Sequence, residues 1–210
     1  MPLARACVPY LFWSIGAAIV CFAAWRKLGH PVFVWAAAFA AVLAVCLAWF
    51  FRDPERKARA GGNDVISPAD GIVRRVSIQG GRKVVEIFMR VWDVHVQRAP
   101  VSGRVLSRKY TKGSYIPADD RKAGTLNTRC LTRIRSRRGP VDVLQVAGLI
   151  ARRVECWLKP GQDVARGGRM GIIHLGSQVR VIMPASAKIT VSRGQKIAAG
   201  VSIIAKWRPL

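Results

Sequence analysis

The chain has 210 residues, of which 51% are apolar, and sets 35 Lys/Arg against 11 Asp/Glu for a formal net charge of +24. Its five cysteines show neither metal-ligand spacing nor a disulfide framework, which excludes a zinc module and a disulfide-stapled secreted scaffold. The first 51 residues contain no acid and only Arg5, Arg26 and Lys27, so the other 159 carry 32 Lys/Arg and all 11 acids, a net of +21 on a length that suits one compact domain.

Two apolar runs open the chain, Val8 to Trp25 and Pro31 to Phe51, separated by Arg26-Lys27-Leu28-Gly29-His30. As helices they would span about 27 and 32 Å, close to a hydrocarbon core. They predict a membrane-associated helical hairpin over residues 1–51 with both ends on one side and His30 as an interfacial residue in its turn. Full spanning and a shallow re-entrant hairpin both fit. A cleavable signal peptide does not, because a second apolar run follows at once and no small-residue cleavage site is evident. Arg52, Arg56, Lys57 and Arg59 after the second run outnumber Arg26 and Lys27 in the turn. That bias puts the following domain on the cytoplasmic side of the cell's inner membrane.

Residues 52–63 read as a basic linker, and residues 64–210 as a mainly β domain. Val84 to Met89, Val141 to Ala147, Gly171 to Ile173, Val179 to Met183 and Val201 to Ala205 are the clearest strands. Thr111 to Asn127 reads as a long loop, and Thr132 to Pro140 as a very basic hairpin turning at Arg137-Arg138-Gly139-Pro140. Internal similarity adds to this. Gly161-Gln162-Asp163-Val164-Ala165-Arg166-Gly167 matches Gly194-Gln195-Lys196-Ile197-Ala198-Ala199-Gly200. Pro68 to Val73, Pro100 to Val105 and Pro184 to Ile189 share a Pro-x-x-small-x-β-branched pattern. Such turn-plus-strand units predict a pseudo-symmetric antiparallel barrel-sandwich of lipoyl type.

Three segments carry candidate chemistry. Ser67-Pro68-Ala69-Asp70-Gly71 offers an acid, Asp93-Val94-His95 a base at a strand end, and Leu175-Gly176-Ser177 a hydroxyl after a glycine. Acid, base and hydroxyl are the set needed to activate a serine. Taken singly, an Asp-Gly pair more often serves a turn, a Gly-Ser pair likewise, and His95 suits a structural role as well as a catalytic one. His174 reads as a packing or surface histidine, since strand alternation would point it away from Ser177.

In order along the chain, Phe51-Arg52-Asp53-Pro54-Glu55-Arg56, Ser67-Pro68-Ala69-Asp70-Gly71, Asp93-Val94-His95, Ala99-Pro100-Val101-Ser102-Gly103 and Leu175-Gly176-Ser177 closely resemble the phosphatidylserine decarboxylase family in its short, archaeal-type proenzyme form. The resemblance runs from the apolar hairpin to about Ala205. It implies a proenzyme that cuts itself between Gly176 and Ser177 into a β chain, 1–176, and an α chain, 177–210, which stay together as a heterodimer. Ser177 would become a covalently bound pyruvoyl cofactor, which forms a Schiff base with the amine of phosphatidylserine and takes up electrons as carbon dioxide leaves. Ser177, His95 and Asp70 would be the catalytic residues, with His95 held by Asp70 in the manner of a triad, and no metal. The implied partner is phosphatidylserine in an anionic membrane, not nucleic acid; the oligomeric state beyond the heterodimer stays open. Long members carry Asp-x-His-x-x-His where this chain has Arg98 in the last position, and short members often have Phe-Gly-Ser-Arg where it has Leu175-Gly176-Ser177-Gln178.

Two other classes compete. A barrel-sandwich carrier would need a lysine at the turn between its repeats, where this chain presents Leu175-Gly176-Ser177. A nucleic-acid binder would interleave aromatics with its basic residues, and Thr132 to Arg138 has none.

Overall fold

The computed structural model describes residues 2–57, 61–118, 120, 122–149, 153–174 and 177–207. The chain divides into two compact units, Met1–Glu55 and Arg56–Leu210.

The first unit is a helical hairpin. Helix α1 (Val8–Leu28) ends at Gly29, whose φ of 69° closes the C-terminus in a conformation that side chains resist. Arg26 and Lys27 lie in its last turn, where they complement the helix dipole. Helix α2 (Pro31–Phe50) starts with Pro31 in its first turn, and the His30 ring nitrogen Nδ1 accepts the Val32 amide as an N-cap. Backbone bonds from Ala4 to Phe51 and from Asp53 to Pro2 tie the two ends together. Both helices are long and apolar enough to cross a membrane.

The second unit is antiparallel β. Its strands are β1 (Asp64–Ile66), β2 (Gly71–Gln79), β3 (Arg82–Met89), β4 (Val96–Arg98), β5 (Gly103–Thr111), β6 (Arg129–Ser136) and β7 (Gly139–Val146). They continue with β8 (Val154–Cys156), β9 (Asp163–Val164), β10 (Arg169–Ile173), β11 (Ser177–Met183), β12 (Ala187–Ile189), β13 (Lys196–Ile197) and β14 (Ile203–Trp207). One curled sheet has the order β13-β2-β3-β11-β7-β6-β5-β9, and two smaller ones run β1-β14-β12 and β4-β10-β8. Val73, Val85, Ile87, Val143, Val179 and Val181 point from the large sheet into one core and are fully buried. The expected architecture, an apolar helical hairpin followed by an antiparallel β domain, is the one adopted.

The sequence repeats have a physical meaning. Gly161 and Gly194 adopt φ of 85° and 88° at equivalent turns. Gln162 Oε1 accepts the Lys159 amide and Gln195 Oε1 the Ser192 amide, so each glutamine closes its turn from within. Gly161 N donates to Val105 O and Gly194 N to Val73 O, while Gly167 N donates to Ala99 O and Gly200 N to Ser67 O. Gly71 and Gly103 open β2 and β5, where a Cβ would run into the carbonyls of Phe88 and Arg135. Two copies of one unit therefore form the two ends of the large sheet, β13 on β2 and β9 on β5.

Two boundaries differ from the sequence reading. Ser136 pairs with Gly139, so Arg137-Arg138 alone form the hairpin turn, and Gly139 at φ 113° lets Pro140 enter β7. The last strand starts at Ile203 rather than Val201, because Ser202 folds back on Ala198 through its amide and its hydroxyl. Within the expected loop Thr111–Asn127, Thr111 ends β5 and Ala123–Leu126 forms one helical turn, α3.

A charge cluster pins the β6–β7 hairpin to β3. The Asp142 carboxylate accepts from Arg133 (2.8 and 2.9 Å) and from Arg82 (2.6 Å). Burial alone would push the Asp142 carboxyl up; the bonds from Arg133 and Arg82 outweigh it and hold the group below the usual carboxylate range. A depressed folded pKa means stabilisation that is present above the unfolded pKa and is lost as the pH falls through the folded one. Asp142→Asn is expected to cost about 1–3 kcal/mol at neutral pH, discounted for the partly exposed arginines. The gap from wild type should narrow below about pH 4, as read by urea unfolding over a pH series.

Candidate active site

Ser177 is the first residue of β11 and pairs with Met89, the last residue of β3. β11 is central, with β3 on one side and β7 on the other. Ser177 shares its face with Val179, Val181 and Met183, and all four are fully buried. Its hydroxyl donates to the Met89 sulfur at 3.3 Å. A thioether is a weak acceptor, so the hydroxyl proton is held only weakly. Leu175 and Gly176, the other two residues of the expected cleavage tripeptide, lie outside the described residues.

His95 is also fully buried, one residue before β4. Its Nδ1 lies 2.8 Å from the Asp93 carbonyl oxygen. A carbonyl only accepts, so Nδ1 carries the proton and Nε2 bears the lone pair, the form that can take up a proton. The Asp93 carboxylate is gripped by Arg90 through its backbone N, Nε and Nη2, which fixes the tight turn after β3.

His95 and Ser177 are joined indirectly. Gln97 Nε2 donates to the His95 carbonyl (2.6 Å) and lies 3.6 Å from the Met89 sulfur that also faces Ser177. Gln97 Oε1 accepts from Gln145 Nε2 (2.9 Å), and Gln145 Oε1 is a buried acceptor without a partner among the described residues. Met89, Gln97 and Gln145 carry no signal as site residues in the sequence. Their contacts bridge strands far apart in the chain, and neither residue type carries a motif.

His174, two residues before the expected cut, packs Nε2 against Glu155 Oε1 at 3.2 Å, and Arg153 reaches the same carboxylate at 2.8 Å. Burial pulls His174 below the usual imidazole range, and Glu155 pulls the other way. On the opposite face of β11, the Gln178 amide donates to the Ala118 carbonyl and Arg180 pairs with buried Glu86 at 3.1 Å. A Cβ at Gly124 of α3 would collide with that guanidinium. Ala118 and Gly124 are therefore fitted closely against this end of β11.

Asp70 does not orient His95. Its carboxylate forms a bidentate pair with Arg56 and accepts the Ala199 amide at 2.7 Å. The His95 Nδ1 position is taken by the Asp93 carbonyl instead. The turn chemistry of the Asp-Gly pair prevails over the triad arrangement. The Asp70 turn still reaches the site through the backbone, because Arg98 N of β4 donates to Pro68 O at 2.8 Å. The Arg98 side chain donates to the Gly167 carbonyl. Among the described residues, no group of three or more His, Cys, Asp or Glu could hold a metal ion.

The family model described as phosphatidylserine decarboxylase matches residues 43–205. The chain belongs to the phosphatidylserine decarboxylase family. A phosphatidylserine decarboxylase proenzyme of Chlorobaculum parvum is 42% identical over 162 residues, covering 74% of this chain and 76% of the relative. Proenzymes of the same name from Streptomyces avermitilis and Desulfotalea psychrophila are 37% and 35% identical, over 96% and 97% of this chain and 92% and 96% of their own lengths. The family is one of carboxy-lyases.

The environment of His174 yields a signed prediction. Glu155→Gln removes the two influences that raise the His174 pKa, so its titration midpoint should move further down. Histidine ring resonances followed by NMR over a pH series would show it; an upward or absent shift would contradict the assigned contact.

Proposed function

We propose that the chain is a proenzyme that cuts its own Gly176–Ser177 bond and then decarboxylates phosphatidylserine to phosphatidylethanolamine and carbon dioxide, in phospholipid biosynthesis. The observation that carries the reading is the setting of Ser177: a buried hydroxyl at the head of a central strand, facing a thioether, in a chain of this family. The same setting suits conversion of Ser177 to a pyruvoyl group, because the position is shielded from water and holds no strong acceptor against the reacting atoms.

Ser177 Oγ attacks the Gly176 carbonyl carbon, His95 Nε2 takes the hydroxyl proton and returns it to the residue 177 nitrogen as the C–N bond breaks, leaving an ester and a free amine on residue 177. Loss of the Cα proton expels the Gly176 carboxylate and leaves dehydroalanine. Water then replaces the nitrogen, which departs as ammonia, and a ketone remains. A pyruvoyl ketone supplies an electron sink for the pair left when carbon dioxide departs. His95 is also assigned a proton-transfer role in turnover. Asp70 is assigned a positioning role: held by Arg56 and Ala199, it fixes the turn whose Pro68 carbonyl anchors β4 just after His95.

The apolar hairpin and the charge of +24 support placement at an anionic membrane, with the β domain on the cytoplasmic face of the inner membrane; that membrane, rather than nucleic acid, is the partner in this reading. The α and β chains of one precursor form the working heterodimer in this reading.

Ser177→Ala is expected to remain a single full-length chain on denaturing gels, with no carbon dioxide released from phosphatidylserine. His95→Ala should slow cleavage or turnover by about 100-fold or more, the range of a lost general base; normal rates of both would remove His95 from the mechanism. Asp70→Asn should cost about 1–3 kcal/mol of stability and slow cleavage without abolishing it; complete loss of cleavage in a folded variant would restore a direct role.

A further inference from the structure

The two Gly-Gln repeats are matched almost bond for bond, and they differ at one functional position. In the first unit the Asp70 carboxylate accepts the Ala199 amide and holds the Arg56 guanidinium. In the second, the equivalent bond runs from the Arg166 amide to the Ser102 hydroxyl at 2.9 Å. A neutral hydroxyl thus stands where the other unit has a carboxylate, yet the arginines have multiplied. A cleft of about 410 Å³ opens at this place, lined by Ser102, Arg135, Arg137, Arg138, Arg166 and the edge of Trp207.

The cleft is part preorganised and part unsatisfied. The Arg166 guanidinium is fixed by the carbonyls of Gly61 and Asp64, and Arg138 is held by Asn63 Oδ1 at 3.0 Å. The guanidinium groups of Arg135 and Arg137 make no ion pair or hydrogen bond among the described residues. Asp64 is the only acid in the lining among the described residues, and its carboxylate accepts the Gly61 amide. Four guanidinium groups around one cleft repel each other unless an anion joins them, and their planar forks match the oxygens of a phosphate.

We propose that this cleft is a binding site for a phosphate group, which supplies from outside the negative charge that Asp70 supplies in the other repeat. It is distinct from the candidate active site. The cleft lies at the β6–β7 turn, beside the Met183 end of β11, whereas Ser177 begins that strand. The separation is about 20 Å at the rise of an extended strand. The phosphate can come from free solution or from the headgroup of an anionic phospholipid, and the two sources are separable by experiment. The site stands on the repeat geometry alone and does not depend on the reaction proposed for Ser177.

The test is titration calorimetry on the full chain in neutral detergent at low salt. One arm uses inorganic phosphate, and the other dihexanoyl phosphatidylglycerol below its micelle concentration. Wild type and the uncut Ser177→Ala variant should bind alike, which separates this site from the active site. Arg135→Ala/Arg137→Ala should weaken binding at least tenfold, and Arg135→Lys/Arg137→Lys should retain most of it. Ser102→Asp installs the missing carboxylate; it should raise the melting temperature and abolish binding. Saturable binding of both ligands assigns the site to the phosphate group itself, and binding of the lipid alone assigns it to the headgroup. No saturable binding of either, or unchanged affinity in Arg135→Ala/Arg137→Ala, overturns the proposal.

Discussion

The backbone ladder between β3 and β11 is the constraint on which the rest depends. It runs without interruption from Ser177 opposite Met89 to Met183 opposite Lys83, and β7 closes the other side of β11 from Gln178 to Ile182. The residue at the head of the strand is therefore held by its neighbours, independently of the chain that precedes it. A cut before Ser177 would remove a covalent link and no ladder bond of β11. The segment after the cut also supplies β12, β13 and β14, which pair with β14, β2 and β1. Its strands interleave with those from before the cut, so separating the chains would mean unfolding the sheets.

In the proposed reaction, the same arrangement would let a buried serine be both inert and reactive. Ser177 sits among apolar side chains and a thioether, where few groups compete for its hydroxyl and water is excluded. The polar residues nearby are tied to one another: Gln97 to His95 and Gln145, and His174 to Glu155. The Asp93 carbonyl, rather than a carboxylate, sets the His95 tautomer. A carbonyl fixes the ring without placing a full negative charge in the core, which would be costly there.

Much of the architecture was legible in the chain itself. The apolar runs marked α1 and α2, and Val/Ile-rich segments marked β3, β7, β10 and β11, because their side chains face a core on one or both sides. The repeated Gly-Gln turns were visible because positive φ demands glycine and the glutamine closes the turn locally. Strands of two or three residues, such as β4, β8, β9 and β13, were not visible, since they are too short to show a period. Ser177 and His95 stood out through ordered motifs. The partner of Asp70 did not, because Arg56 reaches it across 14 residues and Ala199 across 129, neither with any local signal. Gln97, Gln145 and Met89 were silent for the same reason.

The central claim is that the chain is cut before Ser177 and held together afterwards by the β3–β11–β7 ladder. Mass spectrometry of one active preparation, under native and then denaturing conditions, tests it most directly. The account predicts a single native species that resolves on denaturation into two polypeptides, the smaller beginning at position 177 with a blocked amino terminus. An active preparation that gives one full-length polypeptide on denaturation would contradict the cut. Two chains that part without denaturant would contradict the ladder as what holds them.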